Sequence, residues 1–232
     1  MASATANTAR DPDSEARPEG TPLRFVTAAS LFDGHDAAIN IMRRLIQAQG
    51  AEVVHLGHNR SVEDVVRAAL QEDADAIALS SYQGGHVEYF KYMVDMLRER
   101  GAGHIRVFGG GGGTITPEEI RELEAYGVER IYHPNDGMKM GLVEMIGDVI
   151  ARTARNDRDS GFGSRDSKQP RPAIEDEIAI GRMLSAIEDG VFSEAELALM
   201  RKGWSAQRSS ESRIPTPDSR PITPVIGITG TG

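Results

Sequence analysis

Asp33-Gly34-His35-Asp36 is the segment of this chain whose residue types and spacing point most directly to chemistry. An imidazole can ligate a metal through one ring nitrogen while a carboxylate holds the other, and Asp33 stands two residues before His35. The apolar run Arg24–Ala29 comes shortly before, so the pair would stand just past the end of a strand. Turns rich in Asp and Gly also carry histidines with no chemical role, so the surroundings must decide. Two further segments bear on that. Ser80-Ser81-Tyr82-Gln83-Gly84-Gly85 sets two hydroxyls before a glycine pair, and Gly109 to Gly113 is an unbroken run of five glycines. Glycines let a backbone approach a large ligand closely, although such a run also serves as a flexible loop.

The elements around these segments alternate. Strands are predicted at Arg24–Ala29, Glu52–His55, Ala76–Ser80, Ile105–Phe108 and Arg130–Tyr132. Helices are predicted at Ala37–Gln49, Val62–Glu72, Glu88–Arg100, Pro117–Tyr126 and Lys139–Arg152. Ile39, Met42 and Ile46 recur at the spacing that buries one helix face. Ser61 with Asp64, and Thr116 followed by Pro117 and two acids, read as helix starts. Strands alternating with helices imply an α/β fold, a doubly wound five-stranded parallel sheet of flavodoxin-like order 2-1-3-4-5. In that order the ends of strands one, three and four meet at one crevice, and there His35, Ser80 and the glycine run converge.

Residues 1–22 are polar and lack an apolar core, which reads as a disordered leader rather than a signal peptide. The α/β domain is expected over 23–155, then a linker at 156–174 and a helical hairpin at 175–205. A second linker follows at 206–222, and the chain turns apolar at 223–232. The net charge of -9 argues against a nucleic-acid partner, and the absence of cysteine excludes disulfides and thiolate sites. No apolar run reaches the ~20 residues that span a membrane, and a cytoplasmic location is expected. His55 and His58 would fall on opposite faces of a strand or in a loop, so they read as surface histidines; His104 and His133 read as loop residues.

The three segments resemble the cobalamin-binding domain of the B12-dependent mutases. That family carries Asp-x-His-x-x-Gly after the first strand, Ser-x-Leu after the third and a Gly-Gly turn after the fourth. This chain has Asp33-x-His35-x-x-Ala38, Ser80-x-Tyr82 and Gly109-Gly110, so Ala38 and Tyr82 depart from the pattern. Leu31 to Asp36 and Ser80 to Phe90 are similar to the fused isobutyryl-CoA mutase subfamily in particular. The resemblance implies adenosylcobalamin bound with its dimethylbenzimidazole displaced, His35 as axial cobalt ligand, Asp33 orienting it and Ser80 bonding the displaced base. Gly84, Gly85, Gly109, Gly110 and Gly111 would line the tail tunnel. Phe32, Gly34, Ala38, Tyr82, His86 and Tyr132 complete the implied contact set.

The subfamily further implies an acyl-CoA mutase that isomerises isobutyryl-CoA and n-butyryl-CoA, working as a homodimer. Its acyl-CoA would bind in a separate substrate domain. Gly230-Thr231-Gly232 resembles the opening of the Walker A loop of a G-protein domain. Its GTP and Mg would belong to residues beyond this chain, which reads as an N-terminal piece unable to turn over substrate alone. A cobalamin-binding sensor or methyltransferase module is the alternative that the Asp-x-His pattern leaves open. A response-regulator receiver shares the fold, but Ser80-Ser81 and His133-Pro134 stand where it needs an aspartate and a lysine.

Overall fold

In the computed structural model of the chain, the residues described are 21–154 and 176–211. The leader up to residue 20, the linker at 156–174, residues 212–222 of the second linker and the P-loop start at 223–232 lie outside them.

Strands β1 (Arg24–Ala29), β2 (Glu52–His55), β3 (Ala76–Ser80), β4 (Arg106–Gly110) and β5 (Arg130–Tyr132) form one sheet. All pairs are parallel and the order is β2-β1-β3-β4-β5, as the alternation of elements predicts. Side chains along a strand alternate between faces, and the core follows that period. Phe25, Ala76, Ala78, Phe108 and Tyr132 meet helices α1 (Asp36–Ala48) and α6 (Leu142–Ala154) on one face. Val26, Ala28, Ile77, Leu79, Val107 and Ile131 meet α2 (Val62–Gln71), α3 (His86–Glu99) and α4 (Pro117–Tyr126) on the other.

Local sequence sets the helix starts. Ser61 Oγ accepts the Asp64 amide at 3.1 Å, and Thr116 Oγ1 accepts the Glu119 amide at 3.3 Å. Each acidic side chain bonds back to its cap, so both helices open with a capping box.

Within the α/β domain three boundaries differ from the sequence expectation by two residues or more. Strand β4 runs on through Gly109 and Gly110, because Leu79 and Ser80 of β3 supply partners for them. Helix α3 starts at His86, ahead of the expected Glu88. The helix expected at Lys139–Arg152 is two elements, α5 (Pro134–Met140) and α6, separated at Gly141 with φ 83°. His133, expected in a loop, is the N-cap of α5.

The chain divides into two units, residues 1–192 and 193–232. Helix α7 (Glu177–Glu188) belongs to the first and packs on α2. Gly181 makes that approach feasible, since a Cβ there would lie 2.4 Å from the Gln71 carbonyl oxygen. Arg67 grips Glu177 through Nε at 3.2 Å and Nη2 at 2.6 Å. The second unit contains α8 (Glu194–Glu211), which runs on into the linker expected at 206–222 and is opened by Ser193, whose Oγ accepts the Glu196 amide at 3.3 Å. Among the described residues no helix is long and apolar enough to cross a membrane.

Candidate functional site

The carboxyl ends of β1, β3 and β4 do converge. Asp33 is fully buried and gathers the crevice around its carboxylate. Its Oδ1 accepts the His35 amide at 2.8 Å and lies 2.8 Å from His35 Nδ1, while Oδ2 accepts the Tyr82 amide at 2.7 Å. One side chain thereby ties the loop after β1 to the end of β3. A carboxylate only accepts, so Nδ1 of His35 carries a proton, and in the neutral imidazole Nε2 keeps its lone pair. The His35 side chain is 65% exposed, which leaves Nε2 free to meet a ligand. The Tyr82 ring leans on the imidazole at 5.4 Å between centroids.

Beside this pair, a cleft of about 200 Å³ runs between the sheet and helices α1, α5 and α6. Ala38, Ser80, Tyr82, Gly109, Gly110, Gly111 and Tyr132 all line it, so seven of the predicted site residues share one wall system. Apolar side chains such as Met42, Ala78, Phe108 and Met145 supply most of the rest. Ser80 Oγ is buried there without a hydrogen-bond partner. Gly111 is required by packing, because a Cβ would lie 1.9 Å from the Ser81 carbonyl oxygen. Tyr132 donates its hydroxyl to Asp148 at 2.8 Å, and burial first, then that bond, push its pKa well up.

Other predicted residues stand apart from the cleft. Phe32 is 80% exposed on the loop after β1 and holds a left-handed φ of 64°, strained for a bulky side chain. Its amide donates to Asn59 Oδ1 at 2.8 Å. Gly34, Gly84 and Gly85 are outside the lining, the last two exposed at the start of α3. His86 is buried away from the cleft. Its Nδ1 lies 3.2 Å from the Gln83 carbonyl, and its Nε2 is 3.2 Å from Glu119 Oε2. The Glu119 carboxyl is held below its usual range by the Thr116 amide, then the Thr116 hydroxyl and His86. His58 is exposed, and His55 Nδ1 lies 2.9 Å from Thr27 Oγ1, so neither joins the site.

Sequence reasoning missed the α5–α6 side of the cleft, where His133, Pro134, Gly137 and Leu142 add to the lining. The signal was present: His133-Pro134 with Asp136 is a cap followed by proline at the first helical position. Among the described residues no group of three or more His, Cys, Asp or Glu could hold a metal ion.

Comparisons with known proteins agree with this geometry. Residues 23–139 match the B12 binding domain family. The chain is 51% identical over 230 residues to the fused isobutyryl-CoA mutase of Cupriavidus metallidurans, covering 97% of this chain and 19% of that protein. Over 141 residues it is 67% identical to the fused isobutyryl-CoA mutase of Paraburkholderia xenovorans, covering 61% of this chain and 11% of that protein. It is 30% identical to the 2-hydroxyisobutanoyl-CoA mutase small subunit of Aquincola tertiaricarbonis, covering 56% of this chain and 94% of that subunit. The chain thus spans about a fifth or less of the fused relatives and nearly all of a free-standing small subunit. With the matched segment enclosing the Asp33–His35 pair and most of the cleft beside it, the chain belongs to the B12-binding domain family.

Proposed function

We propose that this chain is the cobalamin module of a fused acyl-CoA mutase and binds adenosylcobalamin base-off, with His35 Nε2 as the axial ligand to cobalt. The observation that carries the reading is His35 itself: a surface imidazole whose tautomer is set by a buried carboxylate, leaving Nε2 open beside an apolar cleft. Asp33 orients the ring and raises its donor strength.

The cleft fits the displaced base. Its volume of about 200 Å³ exceeds the ~150 Å³ of an engineered apolar cavity that takes benzene, so a bicyclic ring has room. Ser80 Oγ, buried and without a partner, supplies a hydroxyl for a ring nitrogen. Ala38 and Tyr82, which depart from the family pattern, both line this cleft, so neither closes it. When bound, adenosylcobalamin supplies a cobalt–carbon bond whose homolysis begins radical rearrangement; the protein supplies placement and electronics.

In the whole protein, that rearrangement would interconvert isobutyryl-CoA and n-butyryl-CoA held by another domain, in a homodimer. A G-protein domain starting near residue 223 would use GTP and Mg as a chaperone. The test is the absorbance of cobalamin titrated into this chain. Displacement of the base on binding supports the reading. Cobalamin bound with its own base in place contradicts it and favours a non-mutase carrier.

A further inference from the structure

His133 is a polar wall of the cleft to which neither the sequence pattern nor the cobalt ligation assigns a task. It follows β5 and caps α5. Its amide donates to Asp136 Oδ2 at 3.0 Å, and its Nδ1 accepts the Asn135 amide at 3.2 Å. A neutral imidazole accepting at Nδ1 carries its proton on Nε2. The cap therefore fixes the tautomer and leaves one N–H on a half-buried ring in the wall of the cleft.

The rest of the lining sharpens what that N–H is for. No lysine or arginine lines the cleft, and the chain as a whole carries a charge of -9. The Tyr132 hydroxyl is committed to Asp148. Ser80, at the end of β3, lines the same cleft as Pro134 and Gly137 of α5. A ligand that brings both an apolar ring and an anionic oxygen would find the ring's walls on α1, α6 and the sheet. Its anionic oxygen would find His133 as the nitrogen-bearing side chain in the lining.

We infer that His133 Nε2–H donates a hydrogen bond to the phosphodiester of the nucleotide tail that enters this cleft, and so selects corrinoids that carry a tail over those that lack one. The inference rests on the cobalamin reading above.

The test compares wild type with His133→Ser, titrated with cobalamin and with cobinamide, which has no nucleotide tail. Serine caps a helix well, so α5 keeps its start while the N–H is lost. An unchanged melting temperature checks this. Loss of a hydrogen bond to a charged group predicts roughly ten- to hundredfold weaker cobalamin binding. Cobinamide affinity stays unchanged. Equal losses for the two corrinoids, or no loss for cobalamin, overturn the inference while leaving the cobalamin reading intact. Failure of wild type to bind either corrinoid overturns both.

Discussion

At the amino end of the sheet, charged groups are bound to one another; at the carboxyl end, polar groups are left waiting. Arg24 opens β1, and its buried guanidinium reaches Glu52 Oε2 at 3.0 Å through Nε and Asp189 Oδ1 at 2.8 Å through Nη2. Its backbone amide donates to Asp75 Oδ2 at 2.7 Å. Burial opposes its charge, but the Glu52 bond and the Asp189 charge outweigh it, and the pKa is raised. These contacts join β1 to β2 and to the residue after α7. Across the sheet, Ser80 Oγ is buried with no partner, His35 Nε2 points away from its carboxylate and Phe32 holds a strained backbone. Groups satisfied by the protein hold the fold together. Groups left open at the other end carry a cost that a ligand can repay.

Arg24→Ala should break the amino end most severely. It removes the guanidinium that Asp189, whose side chain is 4% exposed, holds at 2.8 Å. Removing one partner of a buried pair costs about 3–5 kcal/mol, to be read by urea denaturation. Cobalamin affinity of the folded variant should not change; a matching fall would show that the two ends are not independent. Ser80→Ala should have the opposite signature. Removing an unsatisfied buried hydroxyl should stabilise the ligand-free protein by about 1 kcal/mol and weaken cobalamin binding. A variant that is less stable and binds as well as wild type would make Ser80 an ordinary part of the core.

The smallest effect concerns pH. His55, at the carboxyl end of β2, has its pKa lowered by burial first and then by the charge of Arg43. The unfolded chain therefore takes up this proton more readily than the folded one. The stability that His55 contributes is full above the unfolded value of about 6.5 and is lost as pH falls through that value toward the lower folded one. His55→Gln should flatten the fall of melting temperature over that window. An unchanged slope would remove His55 from the account.

The order of the sheet was legible because its strands are short apolar runs between helices of clear period, and parallel pairing with right-handed crossovers leaves few arrangements. The convergence of His35, Ser80 and the glycine run followed from that order. Gly109 and Gly110 read as a turn because glycine is a poor strand former; their strand character comes from β3 alongside, which composition does not show. Its place near the crevice in sequence makes His86 read as a cofactor contact, but the first turn of α3 directs it toward Glu119. The α5–α6 break was encoded in His133-Pro134 and Gly141 but was masked by the apolar periodicity that follows.

The central claim is that His35 replaces the benzimidazole on cobalt. It is tested most directly by the EPR spectrum of cob(II)alamin bound to protein labelled with nitrogen-15 histidine. The account predicts that the axial nitrogen splitting changes from the triplet of nitrogen-14 to the doublet of nitrogen-15, and that the doublet is absent in His35→Ala. A nitrogen-14 triplet persisting in the labelled protein would show that the cofactor keeps its own base, and would contradict the account.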